Sequence, residues 1–183
     1  MLKTIKGFLL LYRLHDKFDK LVWAKDFRKI VEFAEEVKSR FPDRPIGYFY
    51  SGYGKLNLSK YKESKPEFLK TLDLLKTRNN RSEEKFYLYY SYLNLGSAYD
   101  SLNKYDKALF YFEKAIQIDQ KKYEAFLNRG IVRMKSNNKL DALKDFEKVL
   151  ELDISNLIAS QNREILIIEL MGSDLNTKDK YES

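Results

Sequence analysis

Residues 89–122 read YYSYLNLGSAYDSLNKYDKALFYFEKAIQIDQKK, and residues 123–156 read YEAFLNRGIVRMKSNNKLDALKDFEKVLELDISN. The two lines align without a gap. Gly96 recurs as Gly130, Asn94 as Asn128, Ala108 as Ala142, Phe112 as Phe146 and Glu113-Lys114 as Glu147-Lys148, each pair 34 residues apart. A fixed period of that length marks a repeat architecture, in which each copy is one supersecondary unit. Within the first line the apolar spacing is helical. Tyr92, Leu95, Gly96 and Tyr99 fall 3, 1 and 3 apart on one face. Beyond a turn at Asn103, Tyr105, Ala108, Phe112 and Ala115 make a second stripe at spacings of 3 and 4. Each copy is therefore a pair of antiparallel helices, A and B. Neither helix can bury its stripe alone, so neighbouring copies must stack. Gly96 costs about 1 kcal/mol in a helix interior relative to Ala. The expected return is close approach of helix B at that point.

The pattern aromatic-x-x-x-Gly-x-x-aromatic, followed by Tyr-x-x-Ala-x-x-x-Phe, resembles the tetratricopeptide-repeat (TPR) family. The resemblance implies an all-α, right-handed helical-repeat solenoid that binds other proteins. Extending the frame backwards by 44 takes Gly96 to Gly52, Tyr105 to Tyr61 and Phe112 to Phe68. One further step of 34 puts Phe27 in the place of Tyr61 and Ala34 in the place of Phe68, with Pro42 closing helix B. Two copies depart from the pattern: Phe18 occupies the small-residue position of the first, while Ser64 and Lys55 replace the Ala and the helix A aromatic of the second. The expected organisation is a single domain over 1–171. It holds about four helix pairs at 11–44, 45–78, 89–122 and 123–156, an insertion at 79–88, a capping helix at 157–171 and a polar, flexible tail at 172–183.

Composition agrees with the periodicity. The chain of 183 residues has three Pro and seven Gly, and no Val/Ile/Thr-rich alternation bounded by turns, so no sheet is expected. There is no cysteine, hence no disulfide, thiol nucleophile or thiolate metal site; this suits a reducing compartment, and a cytoplasmic location is the expectation. No stretch approaches the ~18 apolar residues of a membrane span. The N-terminal MLKTIKGFLL has lysines and an apolar run but no cleavage site after it. It predicts a helix capped near Thr4 that runs into the first helix A. FPDRP at 41–45 breaks the chain, Pro66 moves the start of its helix towards Ser64, and Asn79, Asn80 and Arg81 read as loop before an N-cap at Ser82. The formal charge is +7. Residues 1–88 carry 20 Lys/Arg against 12 Asp/Glu, a balance of +8, and residues 89–183 carry 14 against 15, a balance of −1. A basic front half raises nucleic-acid binding as an alternative, although its lysines are scattered and no nucleic-acid motif accompanies them.

Catalytic chemistry is sparse. His15 is the single histidine; without cysteine it makes no zinc site and no nucleophile–base pair, and a helix surface is its expected place. Glu35-Glu36 and Glu83-Glu84 are sequence neighbours that diverge on a helix. Gly47 to Gly52 opens like a phosphate-binding loop, but Tyr53-Gly54-Lys55-Leu56 follows in place of Lys-Ser/Thr. No enzymatic activity, metal or cofactor is expected.

In the family, A helices line the concave side and partner peptides bind there. The resemblance therefore points to the A-helix faces turned away from helix B. They offer Phe49, Tyr50, Tyr53 and Asn57 in the second copy, Tyr90, Leu93, Asn94, Ser97 and Asp100 in the third, and Glu124, Leu127, Asn128, Ile131 and Lys135 in the fourth. The first adds Tyr12, His15, Asp19 and Trp23. Asn94 and Asn128 hold the same place in successive copies, and an amide both donates to and accepts from an extended backbone. Tyrosines supply rigid contact area with a polar end. Relatives that clamp chaperone C-termini use Lys, Asn, Asn, Lys and Arg; here Phe49, Tyr53 and Glu124 break that set and Asn94 alone fits, so no chaperone-tail binding is expected. The reading is a scaffold or adaptor for a protein or peptide partner, with the chain a monomer or weak homodimer. Self-assembly through the last helix, apolar from Ile165 to Ile168, is a further alternative.

Overall fold

A computed structural model of the chain describes residues 2–76 and 82–178. Every regular element among them is an α-helix: α1 (Leu2–Trp23), α2 (Phe27–Arg40), α3 (Pro45–Asn57), α4 (Tyr61–Lys76), α5 (Ser82–Ser101), α6 (Tyr105–Ile118), α7 (Tyr123–Lys135), α8 (Lys139–Leu152) and α9 (Leu157–Lys178). The fold is the expected all-α helical repeat. The chain divides into two compact units, Met1–Asn94 and Leu95–Ser183.

In the first unit α2 packs on α3 and α3 on α4, around Ile30, Phe33, Ala34, Val37, Phe68 and Leu72. In the second α7 packs on α6 and α8, and α9 on α8. Its core is Ala108, Phe112, Val132, Phe146, Val149 and Leu166.

The same contact holds each complete A–B pair together. A Cβ on Gly52 would lie 2.8 Å from the Phe68 ring, one on Gly96 2.5 Å from Phe112, and one on Gly130 2.9 Å from Phe146. The glycine is there because the phenylalanine of helix B fills its side-chain space. The first pair reverses the sizes: Phe18 stands on α1 and Ala34 on α2, both buried. The Phe18 ring turns instead onto Tyr50, stacked at 3.9 Å and 8°.

A second A–B contact explains Lys55. Lys55 pairs with Glu67, Tyr99 stacks on Tyr111 at 5.4 Å and 6°, and Arg133 pairs with Asp145 at 2.7 Å. These are the same two positions in three successive copies. An ion pair replaces the aromatic stack wherever both partners change together.

Four A–B turns close alike. Lys25, Ser59, Asn103 and Asn137 have φ of 52°, 59°, 55° and 59°. Each begins a Schellman closure. The amides of Ser59 and Lys60 bond the carbonyls of Leu56 and Lys55, and those of Asn103 and Lys104 bond Asp100 and Tyr99. Lys25–Asp26 and Asn137–Asn138 repeat it.

Three boundaries differ from expectation. α1 begins at Leu2, so Thr4 lies inside it. α4 begins at Tyr61 with Pro66 inside; Pro66 and Lys62 are exposed, so the carbonyl that loses its amide partner meets water and the helix tolerates the proline. α9 continues past Met171 to Lys178. The loop reading of Asn79, Asn80 and Arg81, and the end of the polar tail at 179–183, lie outside the described residues.

Candidate peptide-binding face

In the first unit the A-helix face is not one open surface. Phe49 and Tyr50 are 3% and 1% exposed. α1 covers Tyr50, where Phe18 stacks on its ring, and Phe49 meets Phe68 and Tyr87 edge-on at 6.0 and 5.2 Å. These two are core residues and offer a ligand almost no area. Burial pushes the Tyr50 phenol far above its ordinary pKa, with the nearby Tyr87 and Asp19 adding to the shift. His15 is correspondingly not a free surface residue. Its Nδ1 lies 2.9 Å from the Tyr50 hydroxyl and its Nε2 3.2 Å from the Tyr87 hydroxyl. Both ring nitrogens are thus engaged by phenol hydroxyls.

The remaining candidates of this unit are more open. Tyr53 is half-buried with its ring edge-on to Phe18 at 5.5 Å, and burial raises its pKa. Asn57 is exposed, and its Nδ2 donates to the Tyr53 carbonyl at 2.9 Å. Tyr90 is half-buried beside Phe86, with ring centroids 4.6 Å apart. Asn94 is half-buried, whereas Leu93 is buried. At the free edge of α1, Tyr12 and Trp23 are 63% and 88% exposed.

In the second unit Ser97, Glu124, Leu127, Asn128 and Ile131 are all half-buried. On α7, Asn128 stands about 200° around the helix from Gly130, and Gly130 faces Phe146 of α8. The amide thus points away from helix B. It has no side-chain hydrogen-bond partner among the described residues, and neither does Asn94. Lys135 is tied to Asp100, Nζ to Oδ2 at 2.7 Å, a pair that joins the last turns of α7 and α5.

The sequence reading missed two ionic clusters, one on buried Asp145 and one on half-buried Glu67. Asp145, 2% exposed, accepts from Arg129 at 2.6 Å and from Arg133 at 2.7 Å, and Arg129 also pairs with Glu113. Burial works against the Arg129 charge, but Asp145 and Glu113 outweigh it and raise its pKa. In the first unit Glu67 receives Lys55 and Lys38, the latter at 3.1 Å, and Lys38 also holds Glu35 at 2.7 Å. Burial raises Glu67, but the hydrogen bonds from Lys55 and Lys38 win and leave its pKa below the ordinary range. The sequence signal was present: Lys55/Glu67 and Arg133/Asp145 share a spacing of 12. Every carboxylate here is matched by a cation, so the clusters hold helices together and offer no spare acid or base.

Other lysines of the first unit are also interleaved with acids: Lys17 with Glu36, Lys20 with Asp16 and Lys29 with Asp26. Among the described residues no group of three or more His, Cys, Asp or Glu is placed to hold a metal ion. No described helix is long and apolar enough to cross a membrane.

Comparison with known proteins agrees with this geometry. The tetratricopeptide repeat family profile matches residues 89–122. No curated protein matches the chain. Among solved structures, the MamA protein superposes with a TM-score of 0.70 at 17% identity, over 91% of this chain and 86% of that one. YrrB, described as a TPR protein with an unusual peptide-binding site, gives 0.64 at 19% identity, over 84% and 74%. The first TPR of Spaghetti (RPAP3), bound to the HSP90 peptide SRMEEVD, gives 0.61 at 23% identity, over 70% and 94%.

Proposed function

We propose that this chain is a tetratricopeptide-repeat interaction module, non-enzymatic, that holds a peptide segment of another protein against the outward faces of its A helices. The observation that carries the proposal is the unpartnered amide of Asn128 on α7, on the face turned from Gly130, with Glu124 and Ile131 one turn to either side. A half-buried amide without an internal partner gains from a backbone that both donates and accepts. Ile131 adds apolar area beside it. Two of the similar structures have peptide binding in their descriptions, which supports the class of ligand but not its sequence. Micromolar affinity, about −8 kcal/mol, is ordinary for such a site.

The partner is not the acidic chaperone tail. The clamp for a Glu-Glu-Val-Asp tail uses Lys and Asn on its first A helix and Lys on its third, and this chain has buried Phe49, half-buried Tyr53 and acidic Glu124 at those places. The deciding experiment is capture from a native lysate with immobilised wild type, compared with Asn128→Ala/Ile131→Ala and, separately, Asn94→Ala/Asn57→Ala. Tyr50 is left intact because truncating it would hollow the core. A protein retained by wild type and lost from the α7 variant supports the reading. Equal retention by wild type and both variants overturns it, and retention of nucleic acid alone transfers the function to the basic lysines.

A further inference from the structure

One A helix starts out of step with the others. α3, α7 and α9 begin at Pro45, Tyr123 and Leu157, which is the same place in each copy. The equivalent place in α5 is Tyr89, yet α5 begins at Ser82. The insertion thus adds about two helical turns ahead of the repeat. These turns carry Phe86 and Tyr87, both in the first unit. Tyr87 is 6% exposed. Its ring meets Phe49 of α3 edge-on at 5.2 Å and stacks with His15 of α1 at 6.2 Å, and its hydroxyl lies 3.2 Å from His15 Nε2. Phe86 meets Phe49 at 6.0 Å and packs on Tyr90, one turn later, at 4.6 Å.

The added turns are not needed to complete a helix pair, since α3 and α7 pack on their B helices without them. Their contacts lie on the A helices instead. Tyr50 of α3 holds the place of Asn94 and Asn128 in the later copies. Those amides have no side-chain partner among the described residues. The Tyr50 hydroxyl, by contrast, lies 2.9 Å from one ring nitrogen of His15, and Tyr87 engages the other. The added turns therefore touch both the second and the first A helix, on the face where an external segment would lie. Their chemistry shows what that face accepts: a helix, with its own backbone satisfied, that presents Phe86, Tyr87 and Tyr90. Because this helix belongs to the chain, its effective concentration is about 1 mM. A foreign helix with the same side chains, present at about 1 µM, competes at a disadvantage of about a thousandfold.

We propose that the first two turns of α5 are an internal ligand, an autoinhibitory contact that fills the A-helix face of the first unit and excludes an external peptide from it. The inference rests on the reading that outward A-helix faces hold peptides, and it confines an external peptide to the second unit. The test replaces residues 83–88 of the full chain by alternating Gly and Ser. Its probe is a fluorescein-labelled peptide of residues 82–90, SEEKFYLYY. By fluorescence anisotropy the replaced chain should bind the probe about a hundredfold tighter than wild type does, and Tyr87→Ala in the probe should weaken binding about tenfold. Equal binding by the two chains overturns the proposal, as does no binding by a replaced chain that keeps its other helices. A second measurement needs no replacement. His15 is the single histidine, so its carbethoxylation by diethyl pyrocarbonate can be followed by mass. Tyr87→Ala should speed that reaction several-fold by uncovering Nε2, and an unchanged rate also overturns the proposal. Asn128→Ala/Ile131→Ala, in the second unit, should alter neither readout. Failure here therefore leaves the α7 site standing, to be judged by lysate capture alone.

Discussion

Gly96 sits where the ring of Phe112 occupies the space of a side chain, at 2.5 Å from an ideal Cβ. Helix propensity alone favours Gly96→Ala by about 1 kcal/mol. The ring lies between two packed helices and cannot withdraw, so overpacking of about 1–3 kcal/mol opposes the gain. Gly96→Ala should therefore lower stability by about 1 kcal/mol, read as a lower denaturant midpoint; a raised midpoint would show that the ring swings aside freely. Ser91 is the opposite case. It is fully buried and its Oγ has no hydrogen-bond partner. The equivalent positions 34 and 68 residues on are Ala125 and Ala159, both fully buried. Ser91→Ala removes an unsatisfied hydroxyl without removing carbon, so it should stabilise by about 1 kcal/mol in the same titration. A loss would mean that the hydroxyl is satisfied by ordered water.

Pairs of helices show which parts of this fold could be read in the sequence. The Gly–Phe contact was legible because glycine is costly inside a helical stripe, and here it recurs with its phenylalanine 16 residues later in three copies. The A–B turns were legible at Asn103, since Asn tolerates positive φ, but Lys25 and Ser59 adopt the same φ with no chemical signal. Their conformation is imposed by the helices on either side. The candidate face was half legible. Spacing put Phe49 and Tyr50 on the outward face of α3, but Tyr50 is buried by Phe18 and His15 of α1 and Phe33 of α2, 17 to 35 residues earlier. Asn128 needed no such information, because its direction away from helix B follows from Gly130 two residues on. The Lys55–Glu67 pair between α3 and α4 makes a pH-dependent prediction. Glu67 has a folded-state pKa below its ordinary 4.5. Its contribution is therefore complete above pH 4.5 and is lost as pH falls through the folded value. The gap in thermal midpoint between wild type and Glu67→Gln should be widest near neutrality and close in acid. A gap independent of pH would remove the ionic origin of this contact.

For the whole molecule the governing fact is that each helix pair completes its core only against a neighbour. Stability in such a chain is close to a sum of local terms and nearest-neighbour terms. α9 is the last neighbour in the described chain, packing on α8 through a face that buries Ala159 and Leu166 completely. Its removal should act locally. A chain ending at Asn156 would expose apolar area on α8, and the amides of α7 and α8 should lose hydrogen-exchange protection. The amides of α2 and α3, which pack on each other around Ile30 and Val37 in the first unit, should keep theirs. Leu166→Ala is the milder form of the same change, at about 2–5 kcal/mol for a buried leucine, and it should weaken α8 and α9 without the exposure that truncation brings. Uniform loss of protection from α2 to α8 in both variants would mean that the chain opens in one step. Graded loss, steepest next to α9, would establish that the repeats carry stability from neighbour to neighbour.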